Sequence, residues 1–442
     1  MTKKLNICLM NDSFPPTVDG VATCVANYAS VIESGLGHAM VCTPYYPNVL
    51  DNYSYPVIRY PSFDTQKTIG YRAGYPFDTP TLDRLREMPI DVIHAHCPIM
   101  STLMARTLRE SIHKPLILTY HTKFNIDIEK AVALRSMQKT AIKLLIANVQ
   151  ACDEVWVVSK GAGENLRSLG YEGSYLVMQN GVDFQKGRAD PDSIHTINES
   201  YRLSPEENVF LFVGRMMWYK GIKTILDGLR IAKTFGAKFK MLFVGDGADK
   251  AEIIAYTKNL ELENECLFIS AVHDREMLRA FYSRALLFLF PSDFDTNGLV
   301  VREAAACGTA SLVLDGSCAA EGIMNERNGL LIKKDPADLA RCVFNACSQP
   351  QTAVILGQRA MDEIYLSWDE AVRRAFERYE IVSDRYAQTT HIEYPIHRGD
   401  DFFRFMAYVC TKKKHKKPIR KRMYKPLKHK VYKIKKKTRK TP

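Results

Sequence analysis

The sequence predicts an α/β protein of two doubly wound domains that face each other, and three observations carry that prediction. First, 46% of the 442 residues are hydrophobic. That is a globular proportion, and at about 150 residues per domain the length suits two to three domains. Second, short apolar runs alternate with longer amphipathic stretches, the pattern of βαβ units around parallel sheets. Third, the alternation stops in a polar segment and then restarts. Two facing open sheets place a ligand site between them, because such sheets bind ligands beyond the carboxyl ends of their strands.

In chain order, strands are expected at Leu5–Met10, Ala39–Thr43, Val57–Tyr60, Asp91–His94, Leu116–Tyr120, Glu154–Val158 and Tyr175–Met178. Helices such as Val21–Glu33 and Asp127–Ala151 fill the gaps. The opening run resembles a signal peptide superficially, but Asn6 and Asn11 interrupt it and no small-residue cleavage site follows. It therefore reads as the first strand. Gln185–Asn208, with Gly187, Pro191 and Pro205, reads as a linker. The second set of strands follows at Val209–Val213, Phe239–Val244, Cys266–Ile269, Leu286–Phe290, Ser311–Leu314 and Gly329–Ile332, with helices including Gly221–Phe235 and Leu299–Cys307. Beyond Pro350 the chain reads as helix, Ala353–Leu366 and Trp368–Tyr386, and the regular pattern ends at His391. The divisions expected are 1–184, 185–367, a helix over 368–390, and an aromatic and polybasic tail over 391–442.

Charge is unevenly distributed. The net +12 hides 17 Lys and Arg between Lys412 and Lys440, with no Asp or Glu after Asp401. Without that tail 44 basic residues face 49 acidic ones, a body of −5. The tail, rather than the fold, seeks an anionic partner. No apolar run approaches the ~18 residues that span a bilayer; the longest, Ala285–Phe290, stops at Pro291. The 11 cysteines are scattered, mostly in apolar segments, without a Cys-x-x-Cys pair. They read as buried hydrophobes in a reducing cytoplasm, not as a disulfide framework or a zinc site.

Three motifs carry chemistry. Asp19-Gly20-Val21 follows the first strand, where a glycine lets a ligand approach the backbone and a helix start offers free N–H groups to phosphate. Gly214-Arg215 leaves a strand and Lys220-Gly221 opens the next helix, so both cations can converge on a diphosphate. Asp295-Thr-Asn297-Gly298-Leu299 ends a strand and begins a helix, with Glu303 one turn further in. A carboxylate there can accept hydrogen bonds from vicinal ribose hydroxyls, worth about 1.5–3 kcal/mol each. Asp293-Phe-Asp295 has the Asp-x-Asp form that holds Mg²⁺ or Mn²⁺ in some sugar-transferring sites, an alternative that competes with the two cations. His94 and His96 are expected on opposite faces of a strand end, unable to share an ion, with one of them structural.

With Asp91-Val-Ile-His94-Ala-His96, Tyr120-His121-Thr122, Val158-Ser159-Lys160, Asn180-Gly181-Val182-Asp183 and Gly245-Asp-Gly247, these motifs resemble, in order, a family 4 retaining glycosyltransferase of the GT-B type. The resemblance spans roughly residues 5 to 385. It implies a GT-B fold of two Rossmann-like domains, the first on the acceptor side and the second binding a nucleotide-sugar. It implies that Gly20, Arg215 and Lys220 bind the diphosphate. Glu303 holds the ribose, and Asn297, Gly298 and Leu299 face the sugar and β-phosphate. His121 lies near the reacting sugar, and the donor is a co-substrate with no metal or other cofactor. The family's Glu-x7-Glu reads Asp295-x7-Glu303 here, which implies that the shorter Asp295 carboxylate hydrogen-bonds the donor sugar and, with His121, Arg215 and Lys220, makes up the catalytic set. The expected route is front-face transfer in which the leaving phosphate helps deprotonate the acceptor.

The acceptor is read from charge and resemblance. Arg135, Lys139 and Lys143 share one face of an expected helix, which suits a membrane surface or a solvated core helix. In the tail, Ile419, Met423, Leu427 and Val431 recur every four residues among lysines, favouring anionic lipid over a solubilising or RNA-binding segment. The resemblance extends to the diacylglycerol glucosyltransferase and phosphatidylinositol mannosyltransferase branch. It implies a UDP-sugar donor, a lipid acceptor, no specific nucleic acid, and a cytoplasmic enzyme peripheral to the inner membrane face. A soluble or polysaccharide acceptor, and a non-catalytic nucleotide-sugar- or RNA-binding protein, remain as alternatives.

Overall fold

The computed structural model describes residues 4–17, 19–66, 72–124, 128, 134–389 and 400–412. Its strands are β1 (Asn6–Met10), β2 (His38–Pro44), β3 (Val57–Tyr60), β4 (Ser62–Phe63), β5 (Ala73–Gly74), β6 (Val92–Ala95), β7 (Leu116–Tyr120), β8 (Glu154–Val157), β9 (Leu176–Val177), β10 (Val209–Val213), β11 (Lys240–Val244), β12 (Cys266–Ile269), β13 (Leu287–Phe290), β14 (Ser311–Leu314) and β15 (Leu330–Ile332). One parallel sheet runs β3-β2-β1-β6-β7-β8-β9, a second runs β12-β11-β10-β13-β14-β15, and β4 pairs with β5 antiparallel. Every residue of β7, β10, β13 and β14 is buried. Parallel strands covered on both faces are near-continuous apolar runs, which is why these strands lack polar alternation, with only Thr119 of β7 and Ser311 of β14 breaking the run.

The strand order fixes where chemistry can sit. In the first sheet the order reverses between β1 and β6, and in the second between β10 and β13. At such a reversal the loops diverge and leave a crevice beyond the strand ends. The Gly20 loop follows β1 and His96 follows β6; Arg215 follows β10 and the Asp295 segment follows β13. The two carboxyl edges meet directly. Ser159, after β8, donates its hydroxyl to the Thr296 carbonyl at 2.5 Å, after β13. Glu321 of the second domain accepts the amides of Lys160 and Gly161 at 2.8 Å each, a carboxylate on a helix N-terminus.

The last long helix, Trp368–Thr389, crosses back onto the first domain. Ala371, Val372, Ala375, Phe376 and Tyr379 join the core beneath β1 and the helix Gly20–Val31. Arg378 grips Glu154 of β8 through two bonds of 2.8 and 2.6 Å.

Two expectations are corrected. The segment Gln185–Asn208 is not a plain linker, since Pro191–Tyr201 is a helix. Asp190 caps it by accepting from Ser193 N, Pro191 fills the first turn, and Ile197 is buried; a polar exposed face hid the single inward residue. The chain after His391 is not wholly irregular, because Asp400–Lys412 is a helix. Its Phe403 and Ala407 pack inward, and Arg106 of helix Met100–Ile112 lies 3.8 Å from the Phe403 ring. The helix expected over Asp127–Ala151 is described from Arg135 to Gln150, and residues 413–442 of the tail lie outside the described residues.

Candidate active site

Asp19 organises the first loop. Its carboxylate accepts the amides of Val21 and Ala22 at 2.8 and 2.7 Å, capping the helix that Gly20 begins. Gly20 is exposed, and a Cβ built on it would meet nothing within 4 Å. Its own amide donates to no described residue. The loop therefore presents an uncommitted N–H into open space at the β1/β6 reversal.

His121 follows β7 and is buried. Its Nε2 lies 3.0 Å from Nδ1 of His96, so one nitrogen donates to the other. Burial pushes His121 down to about 3 and pushes His96 and His94 well below the ordinary range, which keeps all three neutral. The expectation that His94 and His96 face opposite ways is wrong. Residues two apart in a strand share a face, and their rings lie 4.0 Å apart. His94 is committed to Tyr379 and Thr119, at 2.5 and 2.7 Å. Cys24, His96 and His121 together bring ligand-type atoms within 4.8 Å of one another, a grouping the scattered cysteine positions did not suggest. The Cys24 thiol instead donates to Asn180 Oδ1 at 3.5 Å.

Across the cleft, Gly221 has φ +81, and a Cβ there would stand 2.1 Å from the Pro291 carbonyl oxygen. Only glycine fits, and this close approach sets Lys220 beside the segment after β13. Lys220 Nζ binds both carboxylate oxygens of Asp295, at 2.7 and 2.9 Å, and Ser292 Oγ donates to Asp295 at 2.7 Å. Tyr219 and Phe294, with ring centroids 4.6 Å apart, flank the pair. Asp293 is ion-paired with Lys334 at 2.6 Å. Both carboxylates of the Asp-x-Asp motif thus already face ammonium groups. Arg215 is exposed on its loop; Gly245 and Gly247 let that loop pack against the next one, where a Cβ would strike Gly214 and Met216 backbone.

Gly298 has φ +59 at the start of helix Leu299–Ala306, and a Cβ there would lie 2.8 Å from Ala319 Cα. Beside it, both polar atoms of the Asn297 side chain are buried without a partner among the described residues. Buried polar groups are nearly always satisfied, so this amide marks a place that a polar ligand would fill. Glu303 accepts from Arg275 Nη2 at 2.9 Å and from Tyr282 OH at 3.0 Å. Burial raises its pKa above 4.5, against the pull of Arg275. Arg275 also lies 3.7 Å from Asp183 and 4.2 Å from the Phe184 ring.

The structure gathers Gly20 and His121 at one reversal and Arg215, Lys220, Asp295, Asn297, Gly298 and Leu299 at the other, with Glu303 one turn inside. Sequence reasoning missed Arg275, Tyr282 and Glu321. The first two sit on the helix Arg275–Arg284, upstream of Glu303 and without a local signature. Glu321 reads as an ordinary surface acid until the domains are brought together.

The family described as Glycosyltransferase Family 4 matches residues 18–186, and that described as Glycosyl transferases group 1 matches residues 193–362. An α-monoglucosyldiacylglycerol synthase of Streptococcus pneumoniae is 21% identical over 347 residues, 77% of this chain and 78% of that protein. A protein of the same name from Acholeplasma laidlawii is 20% identical over 369 residues, 80% of this chain and 92% of that one. Sucrose-phosphate synthase from Thermosynechococcus elongatus shares the fold with a TM-score of 0.68 at 20% identity, over 86% of this chain and 100% of that one. The Anabaena protein Alr3699/HepE, solved with UDP, does so with a TM-score of 0.64 at 17% identity, over 87% and 99%. Two family matches in the expected order, on two parallel sheets whose carboxyl edges meet, identify the chain as a member of the family 4 GT-B glycosyltransferases and as a hexosyltransferase.

Proposed function

We propose that the enzyme transfers a hexose from a UDP-sugar to a membrane lipid of the diacylglycerol class, with retention and without a metal ion. The observation that carries the donor site is the pairing of unmet groups across the cleft: the open Gly20 amide on one domain and the unpartnered Asn297 side chain on the other. A nucleotide diphosphate-sugar between them would take the Gly20 amide and the Arg215 and Lys220 cations on its phosphates. Glu303, steadied by Arg275 and Tyr282, would accept from the ribose hydroxyls.

The chemistry then follows from charge. Bond cleavage leaves negative charge on the departing diphosphate, and fixed cations with helix N-termini stabilise it as it develops. Lys220 is held by Asp295 in the free protein, so the arriving phosphate competes for it and the shorter carboxylate is released toward the sugar. His121 is neutral, so it serves as a hydrogen-bonding partner to the sugar or acceptor and not as an acid. The leaving phosphate, on the same face, takes the acceptor proton.

The lipid acceptor is supported by the two relatives named as monoglucosyldiacylglycerol synthases and by the polybasic tail, which suits attachment to the cytoplasmic membrane face. No helix among the described residues is long and apolar enough to cross a membrane. Calorimetry with UDP tests the donor site. Wild-type binding that weakens at least tenfold in Lys220→Ala is expected, and unchanged affinity would remove the diphosphate role.

A further inference from the structure

We infer that the helix Asp400–Lys412 and the aromatic string continuing from it form an interfacial patch that seats the first domain on an anionic lipid surface. The inference rests on the lipid reading above and gives it a location.

The helix has two distinct faces. Inward, Phe403 and Ala407 are buried and Arg404 reaches Glu110 at 3.3 Å. Outward, Phe402, Phe405 and Tyr408 are 50, 60 and 51% exposed. From Phe402 the rings continue across the domain surface, to Phe77 at 5.8 Å, Tyr75 at 6.4 Å and Phe63 at 6.5 Å in successive steps. Phe63 is 63% exposed. It lies in β4, just past the carboxyl end of β3, where Arg59 donates to the Pro15 carbonyl at 2.7 Å. The string therefore runs from the last described helix to the segment just after β3, the strand whose Arg59 holds the loop ahead of Gly20. Contiguous exposed apolar surface marks a place where something docks, and rings at this density suit the headgroup level of a bilayer.

Charge selects the occupant. Arg106 both underlies Phe403 and donates to Asn148 at 3.0 Å, so it links the aromatic helix to the helix Arg135–Gln150 on the same domain. That neighbour contains no Asp or Glu and exposes Arg135, Lys139 and Lys143 among Leu134, Met137 and Leu144. The 17 cations of Lys412–Lys440 continue directly from the aromatic helix. A second copy of this chain would set these cations against each other. An anionic bilayer accepts rings and cations together. An acceptor lipid at this surface would meet the Gly20 loop at its rim.

The full-length chain is floated with vesicles of equal phosphatidylglycerol and phosphatidylcholine, at low salt and at about 1 M salt, where the Debye length is only ~3 Å. Wild-type protein should retain part of its binding in high salt. Phe63→Ser/Phe405→Ser, both at exposed positions, should lose that residual partition by roughly tenfold or more. It should keep its thermal midpoint and its release of UDP from donor in the absence of lipid. Equal high-salt partition of wild type and variant overturns the patch, as does a wild type that does not float. A wild-type dimer that the double substitution splits would assign the rings to self-association and overturn it too. Vesicle binding with the expected loss, but no glycosylated lipid, leaves the patch standing and removes the lipid-acceptor reading instead.

Discussion

Gly20→Ala separates ligand binding from folding more cleanly than any other single change. The residue is the first of its helix and does not have left-handed backbone, and the added methyl would touch no protein atom within 4 Å. The Asp19 cap uses the amides of Val21 and Ala22, so it survives. Replacing glycine at such a position stabilises by about 0.4–1 kcal/mol through the unfolded chain, which raises the melting midpoint by roughly 1–3 °C in a protein of this kind. A diphosphate that rests on the open Cα face of Gly20 while taking its amide would be pushed away by that methyl. The donor must then shift and lose a charge-assisted hydrogen bond of about 1.5–3 kcal/mol, or roughly 10- to 150-fold in kcat/KM. Initial rates of nucleotide release, UDP calorimetry and thermal unfolding on the same preparation read both effects. A variant with a raised midpoint but wild-type rate and UDP affinity would refute the placement of phosphate at this loop.

Four further outcomes follow from the same geometry. Asp295→Asn removes the anion that holds Lys220; UDP should bind as tightly as in wild type or tighter while kcat falls at least tenfold, read by calorimetry alongside steady-state rates. Glu303→Gln keeps the shape but loses the charge, raising the donor KM by roughly 10-fold or more. Because burial raises the Glu303 pKa above 4.5, the ionised form that accepts from ribose is lost as pH falls. Wild-type UDP affinity should therefore decline on acidification with a midpoint above that value, and Glu303's own contribution to folding shrinks as pH rises through it. His121 titrates near 3 when folded and near 6.5 when unfolded, so the unfolded chain binds the extra proton. Stability should fall as pH drops below 6.5, and His121→Gln should flatten that slope in pH-dependent thermal melts. Arg378→Ala strips a bidentate partner from the nearly buried Glu154, which Arg385 only partly replaces at 3.1 Å; a loss of about 1–3 kcal/mol is expected in urea unfolding.

What was legible in the chain was whatever local pattern dictates. Strands such as Val209–Val213 and Leu287–Phe290 announced themselves because both faces are covered and every residue is apolar. The glycines at 221 and 298 marked the turns that set Lys220 and the Asn297 segment. What was not legible depended on partners far away in sequence. Asp295 read as a sugar ligand or a metal ligand, but its contact with Lys220 arises only when β10 and β13 become neighbours. The helix Pro191–Tyr201 buries little beyond Ile197, so its polar composition looked like a linker. In sequence the helix Asp400–Lys412 reads together with the basic run that follows it, and the partners that seat it, Arg106 and Glu110, lie far back in the chain. His94 and His96 were misjudged through strand geometry, and Cys24 joins His96 and His121 only through the fold.

The most direct measurement mixes the purified enzyme with labelled UDP- and GDP-sugars, phosphatidylglycerol vesicles containing diacylglycerol, and EDTA, and counts label in the organic extract. Label is expected in the lipid phase from the UDP-sugar, undiminished by EDTA and, with donor below KM, cut roughly tenfold or more in Glu303→Ala. Nucleotide released with no labelled lipid, or label undiminished in folded Glu303→Ala, would contradict that route.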